Sequence, residues 1–424
     1  MDTYYMLDNA AKLFPAVANS SNSATFRVSI ILKERIDPAL LQNAVDISVK
    51  RFPMLCVKIR KGLFWNFFDE NKMILLVQKE SKYPCHDIHP HQNHGHFLRV
   101  LYFQKRISLE VFHALTDGTG ALEFLKTIVY EYLILSGRKI EAQNLIRLPE
   151  SMISKYEMED SYLKYDRGIK YSKEEKLKKA FRIEGTPLEP FGHNVIQGVL
   201  SASGMNQAAK QKNATITEYL VALFLYSIYA QNMRYGIYHD IITIAVPVNL
   251  RKKFPSKTLR NFFCVIYISV PARQELNFEK ILAEVVCQMK EKTKQEFLER
   301  AIAENVRLEK NLMVKFVPLF IKQFILKLSF KNRAEKRRTA TLTNLGNILV
   351  PEEMKKDIDF GEAILYPTIN SPVNCSILSM NDKLNITFTR NIAETNIIRY
   401  FFRFLADETG LDITVYSNDW GMEE

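Results

Sequence analysis

The stretch VFHALTDGTG, residues 111–120, decides how this chain is read. It sets one histidine, His113, at the end of an apolar run, with Asp117 four residues on and Gly118 next. Upstream, 97–103 and 107–112 pattern as two strands of a hairpin that turns at 104–106. Downstream, Ala121, Leu122, Leu125, Ile128, Val129, Tyr132 and Leu133 recur at helical spacing. The histidine is therefore expected on a short loop where a buried strand gives way to a helix. Loops held by rigid elements on both sides are where catalytic groups are usually mounted.

Histidine is the side chain best suited to take and return a proton near neutral pH, which a hydroxyl or amine attacking an activated carbonyl requires. Asp117 either pairs with an arginine from elsewhere and holds the loop, or orients the imidazole. Gly118 permits a backbone conformation that a side chain resists. A core histidine followed by an ordinary Asp-Gly turn matches these residues too, since three fixed positions recur by chance in roughly one chain in twenty of this length. The surrounding sequence has to separate the two.

It does so through a resemblance. HALTDG resembles the HxxxDG signature of the chloramphenicol acetyltransferase-like, coenzyme A-dependent acyltransferase superfamily, which includes condensation domains and bacterial alcohol acetyltransferases. Residues 36–53, IDPALLQNAVDISVKRFP, are similar to the first helix of condensation-like domains. Residues 245–263, AVPVNLRKKFPSKTLRNFF, resemble the second-half strand and loop of the alcohol acetyltransferase branch. TNLGNI, 343–348, resembles the late strand that closes the site. The DFGWG motif of the plant acyltransferases is absent, which favours the bacterial branch.

The resemblance implies an α+β fold of two chloramphenicol acetyltransferase-like halves, each a mixed, mostly antiparallel sheet with flanking helices, and an active-site tunnel between them. The N-terminal half at 1–150 would carry HALTDG, 151–190 would be the crossover linker, and 191–424 the C-terminal half. His113 would be the general base that deprotonates an alcohol as it attacks an acyl-coenzyme A thioester. Asp117 would be structural and paired with an arginine, for which Arg251 is the candidate. Its alternative is an ordinary surface arginine. Gly118 would let the loop turn. Thr343 or Asn344 would donate to the oxyanion, unless both are ordinary sheet residues, and Asn261 would help shape the tunnel. The scheme has acyl-coenzyme A as co-substrate, no bound cofactor and no metal. A carrier-protein thioester is the alternative donor, and a non-catalytic coenzyme A- or acyl-binding module of the same fold is the alternative class.

Composition agrees with this outline. A chain of 424 residues is too long for one core, so two domains are expected. The hydrophobic fraction of 47% and charged fraction of 25% are those of ordinary globular proteins. No transmembrane run and no basic-then-apolar N-terminal leader is visible, so a cytoplasmic protein is expected. Five scattered cysteines without a CxxC pair fit reduced thiols better than a disulfide framework or a zinc site. The net charge of +11 would attract polyanions, coenzyme A phosphates among them. The excess gathers at Lys322, Lys327, Lys331, Arg333, Lys336, Arg337 and Arg338, read either as a solvated basic surface or as a phosphate-binding one. No nucleic-acid-binding pattern accompanies it, so nucleic acid is not an expected partner.

Along the chain, 24–33 reads as a strand with Phe26, Val28, Ile30 and Leu32 on one face. Asp37-Pro38 reads as a helix entry, and 54–60 with 63–68 as a hairpin. The loop CHDIHPHQNHGH holds five histidines, His86, His89, His91, His94 and His96, at irregular spacing that does not suggest a built metal site. Residues 143–190 are polar, with a short charged helix expected at 173–181. The second half reads as a strand at 193–200, an apolar helix at 218–233, a buried strand at 241–248 and one long helix at 278–305. Residues 312–330 read as a core helix, with a flap against lipid-like acyl chains as the alternative. Strands at 339–348, 363–365, 375–380 and 384–390, a helix at 394–409 and a strand at 411–416 complete the pattern.

Overall fold

A computed structural model describes every residue except 1–3, 20–21, 81–82, 170–178, 189–192, 233–240, 273–275, 332–334 and 419–424. The charged helix expected at 173–181 therefore falls mostly outside the described residues.

Two mixed sheets dominate. The first has five strands in the order Ile358–Ile364, Thr25–Leu32, Arg106–Phe112, Leu98–Phe103 and Val77–Lys79, antiparallel except for the last pair. The second has seven, in the order Phe263–Pro271, Ile241–Asn249, Ala340–Asn347, Val373–Met380, Lys383–Arg390, Asn194–Ser201 and Thr414–Ser417. Within it, Ala340–Asn347 runs parallel to both neighbours and the other pairs are antiparallel. A third, three-stranded sheet joins Tyr4–Met6, Asn66–Glu70 and Val57–Lys61.

Each large sheet carries helices on one face, because its strands and helices each have an apolar side to bury. Pro38–Ser48 and Gly118–Leu135 pack together over the first sheet, and the seven apolar residues expected on the second of these helices are all buried. Ile216–Asn232, Phe278–Lys292 and Asn396–Thr409 build the core of the second. Asp37 caps its helix by accepting from the Ala39 and Leu40 amides, as Asp-Pro implied.

The two halves exchange pieces. Ile358–Ile364, far along the C-terminal stretch, pairs with Thr25–Leu32 in the first sheet. It also packs across the strands Val373–Met380 and Lys383–Arg390. Leu259, Leu378 and Met380 accordingly belong to the first core.

Thr25–Leu32 buries Phe26, Val28, Ile30 and Leu32 on one face as read, and its other face is buried as well: Arg27 is 1% exposed and pairs with Glu110 at 2.7 Å and Glu80 at 2.5 Å. Three local expectations need correction. The single helix expected at 278–305 is two, Phe278–Lys292 and Gln295–Lys310. Thr293 turns its hydroxyl back to the Met289 carbonyl and Lys294 is extended, which ends the first helix. Residues 312–330 do not form a core helix: Pro318 separates the short turn Leu312–Lys315 from Leu319–Ser329, whose Phe320, Phe324, Ile325 and Leu328 face outward. Finally, Gly118 has no left-handed φ, so the turn does not demand glycine for its dihedrals. Space is the reason, since a Cβ there would lie 2.5 Å from a Leu345 methyl carbon.

Candidate active site

His113 follows directly on the strand Arg106–Phe112, and its amide donates to the Ala24 carbonyl at 2.8 Å. The residue is mostly enclosed but still reaches solvent. Phe14, from the short helix Phe14–Val17, stacks on the imidazole at 4.5 Å and 9°. Phe26 and Phe263 tilt against the ring at 4.8 and 5.5 Å.

One side of the ring is polar. His113 Nδ1 lies 3.1 Å from Asn261 Oδ1, in the loop of the other half. The Asn261 amide has only one orientation that satisfies its neighbours. Its Nδ2 donates to Asp8 Oδ2 at 3.1 Å and to the His113 carbonyl at 3.1 Å. Oδ1 is therefore the atom turned to the imidazole, and Nδ1 must carry the hydrogen it accepts. That tautomer leaves Nε2 with its lone pair. Burial lowers the His113 pKa below the usual range, against the Asp117 charge, the Asn261 contact and its own backbone carbonyl. The ring is thus neutral near pH 7, in the form a general base needs.

Asp8 stands behind this pair. It is 2% exposed, and both carboxylate oxygens accept: Oδ1 from the Ala11 amide at 2.8 Å, Oδ2 from Asn261 N and Nδ2. Burial and the Asp160 carboxylate push it up to about 7, opposed by the Arg260 guanidinium and these N–H donors. Sequence reading missed Asp8. Its signal was present, as a lone acid in the apolar run YYMLDNAAKLFP.

Asp117 and Arg251 meet across the halves. Arg251 Nη1 reaches Asp117 Oδ2 at 2.7 Å, with both side chains largely buried. The same guanidinium donates to the carbonyls of Thr258 at 3.0 Å and Arg260 at 2.6 Å, so it draws in the loop that carries Asn261. Asp117 also caps the signature helix, accepting from the Thr119 and Gly120 amides, and takes the Phe262 amide at 2.9 Å. One carboxylate therefore anchors the histidine loop, starts a helix and pins the opposite half. Gly120 makes this close approach possible: a Cβ there would sit 2.3 Å from the Leu259 carbonyl oxygen, which already accepts from Thr116 Oγ1.

Thr343 and Asn344 point opposite ways. Asn344 Nδ2 donates to Thr217 Oγ1 at 2.9 Å and its Oδ1 accepts from the Gly346 amide, so its amide is directed to the helix Ile216–Asn232. Thr343, buried, lies on the other face of the strand. The register breaks between Asn344 and Asn347, and there the Leu345 side chain abuts Gly118.

The histidine-rich loop does not gather around one point. His96 Nε2 contacts the Met73 carbonyl, His94 Nδ1 that of Ile74, and His86 stacks on His193 of the other half at 6.4 Å. The five cysteines are unpaired, with only Cys287 exposed. A cavity of about 370 Å³ is lined by Asp8, Lys12, Asp160 and Glu309, and another by Met6, Phe64, Trp65 and Phe67. His113 lines neither.

No protein-family model and no curated protein matches the chain in sequence. Solved structures do match in shape. Polyketide synthase associated protein 5 from Mycobacterium tuberculosis superposes with a TM-score of 0.62 at 13% identity, over 95% of this chain and 97% of that one. The TRI3 trichothecene 15-O-acetyltransferase from Fusarium sporotrichioides gives 0.60 at 8% identity, over 96% and 95%. The first condensation domain of the calcium-dependent antibiotic synthetase, in complex with a substrate analogue, gives 0.60 at 12%, over 96% of each chain. The chain therefore has the two-lobed chloramphenicol acetyltransferase-like fold, over nearly its whole length.

Proposed function

We propose that this chain, on a fold shared with an O-acetyltransferase and with condensation domains, transfers an acyl group from a coenzyme A thioester to an alcohol. The observation that carries the reading is the His113–Asn261 contact. It sets the tautomer, leaves Nε2 as a neutral base, and sits where the two halves are bolted together by Asp117 and Arg251.

In the proposed step Nε2 takes the proton of the acceptor hydroxyl as its oxygen attacks the thioester carbonyl carbon. The carbon–sulfur bond then breaks, the acyl group stays on the acceptor oxygen, and the imidazolium returns its proton to the leaving thiolate. Thr343 is the better candidate for the oxyanion donor, because the Asn344 amide is taken by Thr217. Asp117, Gly118 and Arg251 hold the loop and do not touch the reacting atoms. Acyl-coenzyme A is a co-substrate, and the step calls on no resident cofactor or metal. The tunnel between the halves is part of the proposal.

Thiol release from a panel of coenzyme A thioesters, with mixed alcohols and amines as acceptors, tests it. His113→Ala should lower turnover by roughly 10²–10⁴-fold while the thermal unfolding midpoint stays near that of the wild type. Turnover unchanged in that variant would remove the base. The likeness to a condensation domain favours a second reading, in which the donor is a carrier-protein thioester. Transfer from a carrier-bound thioester, with none from any free coenzyme A thioester, would select it. Tight acyl-coenzyme A binding without transfer to any acceptor would select a non-catalytic module.

A further inference from the structure

The helix Leu319–Ser329 is folded inside out. Its charged Lys322 is buried, 4% exposed, while Phe320 is 72%, Phe324 64% and Ile325 56% exposed. Lys322 is no accident of placement. Its ammonium donates to the carbonyls of Phe64 and Lys315 at 3.1 and 3.0 Å and lies 3.9 Å from the Trp65 ring centroid. The inward face is thus held by polar and cation–π contacts, and the outward face presents the aromatics.

The apolar row is longer than the helix. Phe316, 71% exposed, stands four residues before Phe320 and edge-on to Phe64 at 6.1 Å, beside the 83% exposed Leu63. Within the helix the i, i+4 spacing sets Phe320 and Phe324 on one ridge, and Phe316, before Pro318, extends the exposed apolar patch to Phe64. Single exposed apolar residues are normal on a protein, but a contiguous ridge of protruding phenylalanines marks a surface that something covers.

The charge around the ridge selects the cover. Residues 311–338 hold eight lysines and arginines against one acid, Glu335, a net +7 of the chain's +11. Lys315, Lys327 and Lys331 are exposed among the apolar side chains. A second copy of this chain would bring the same positive charge against it. A protein partner would need a pocket for each protruding side chain, whereas the headgroup region of a bilayer accepts aromatic and aliphatic side chains without a matching shape, and anionic headgroups attract the lysines.

We propose that this ridge docks the protein on an anionic lipid surface. The docking helix also packs on Phe14–Val17, the short helix whose Phe14 stacks on His113. The lipid surface would thus lie over one side of the histidine, although the docking itself does not depend on what His113 does.

Flotation of the full chain with phosphatidylcholine vesicles, with and without phosphatidylglycerol, tests the proposal. The wild type should float with the anionic vesicles and progressively less as salt is raised. Phe320→Glu/Phe324→Glu should weaken partitioning at least about tenfold, since both side chains leave the lipid. Lys327→Glu/Lys331→Glu should lose the preference for anionic vesicles, a readout independent of the first variant. Unfolding midpoints equal to the wild type's would show that both variants fold. Wild-type protein left in the soluble fraction with both vesicle types overturns the proposal, and so do variants that float as well as the wild type. A dimer in sedimentation velocity that Phe320→Glu/Phe324→Glu splits, with no vesicle binding, overturns it in favour of a second copy.

Discussion

At the scale of single residues, the site depends on hydrogen-bond direction. Asp8 accepts at both oxygens, so Asp8→Asn sets an NH2 group against a donor whichever way the amide is turned. Leaving that buried donor unsatisfied should lower stability by about 1–3 kcal/mol, read from the urea midpoint. Asp8 also gives the site a pH signature. It titrates at about 7, and only its ionised form accepts from Asn261 at full strength. Under the proposed reaction, thiol release should rise with pH through about 7, and Asp8→Asn should flatten that limb. An identical profile in wild type and variant would remove Asp8 from the chain of contacts. The resemblance placed Asn261 near the site, but its part in orienting His113 comes from two acceptors far off in the chain, Asp8 Oδ2 and the His113 carbonyl.

At the scale of elements, the decisive contact is between the start of the signature helix and the loop of the other half. Gly120→Ala would press a methyl against the Leu259 backbone carbonyl, which cannot rotate away. Gly118→Ala would meet the end of the Leu345 side chain, which can. Chemical denaturation should therefore show Gly120→Ala costing about 1–3 kcal/mol and Gly118→Ala distinctly less. The reverse order would mean that the loops approach differently. The signature helix itself was legible because its apolar spacing and its Asp117 cap agree. The helix Leu319–Ser329 was misread as core because its composition is apolar, and composition does not say which face meets the protein.

At the scale of the molecule, the halves meet through charged and titratable groups as well as through shared strands. His86 and His193 stack across them, and burial together with the His86 charge lowers His193 to about 4. The unfolded chain takes up that proton near pH 6.5 and the folded one only near 4, so stability falls as pH drops through this window. Asp8 works the other way, since its raised pKa means that stability recovers as pH falls from about 7. A difference measurement separates them. Relative to wild type, His193→Gln should gain roughly 3 kcal/mol in urea stability between pH 7 and pH 4. A constant gap would show that His193 is protonated in the folded state.

The sequence by itself determined the alternation of strands and helices, the position of His113 between them and the cap at Asp117, because periodicity and capping act over a few residues. It also singled out Arg251 and Asn261 through resemblance. Only the tertiary structure decided that Asn261 turns its carbonyl oxygen to the imidazole, that Asp8 holds it there, that the Asn344 amide is taken by Thr217, and that 358–364 crosses to the first sheet. Those outcomes depend on which groups meet across hundreds of residues. A hydrogen bond or a steric contact at that separation leaves no period in the chain to be read.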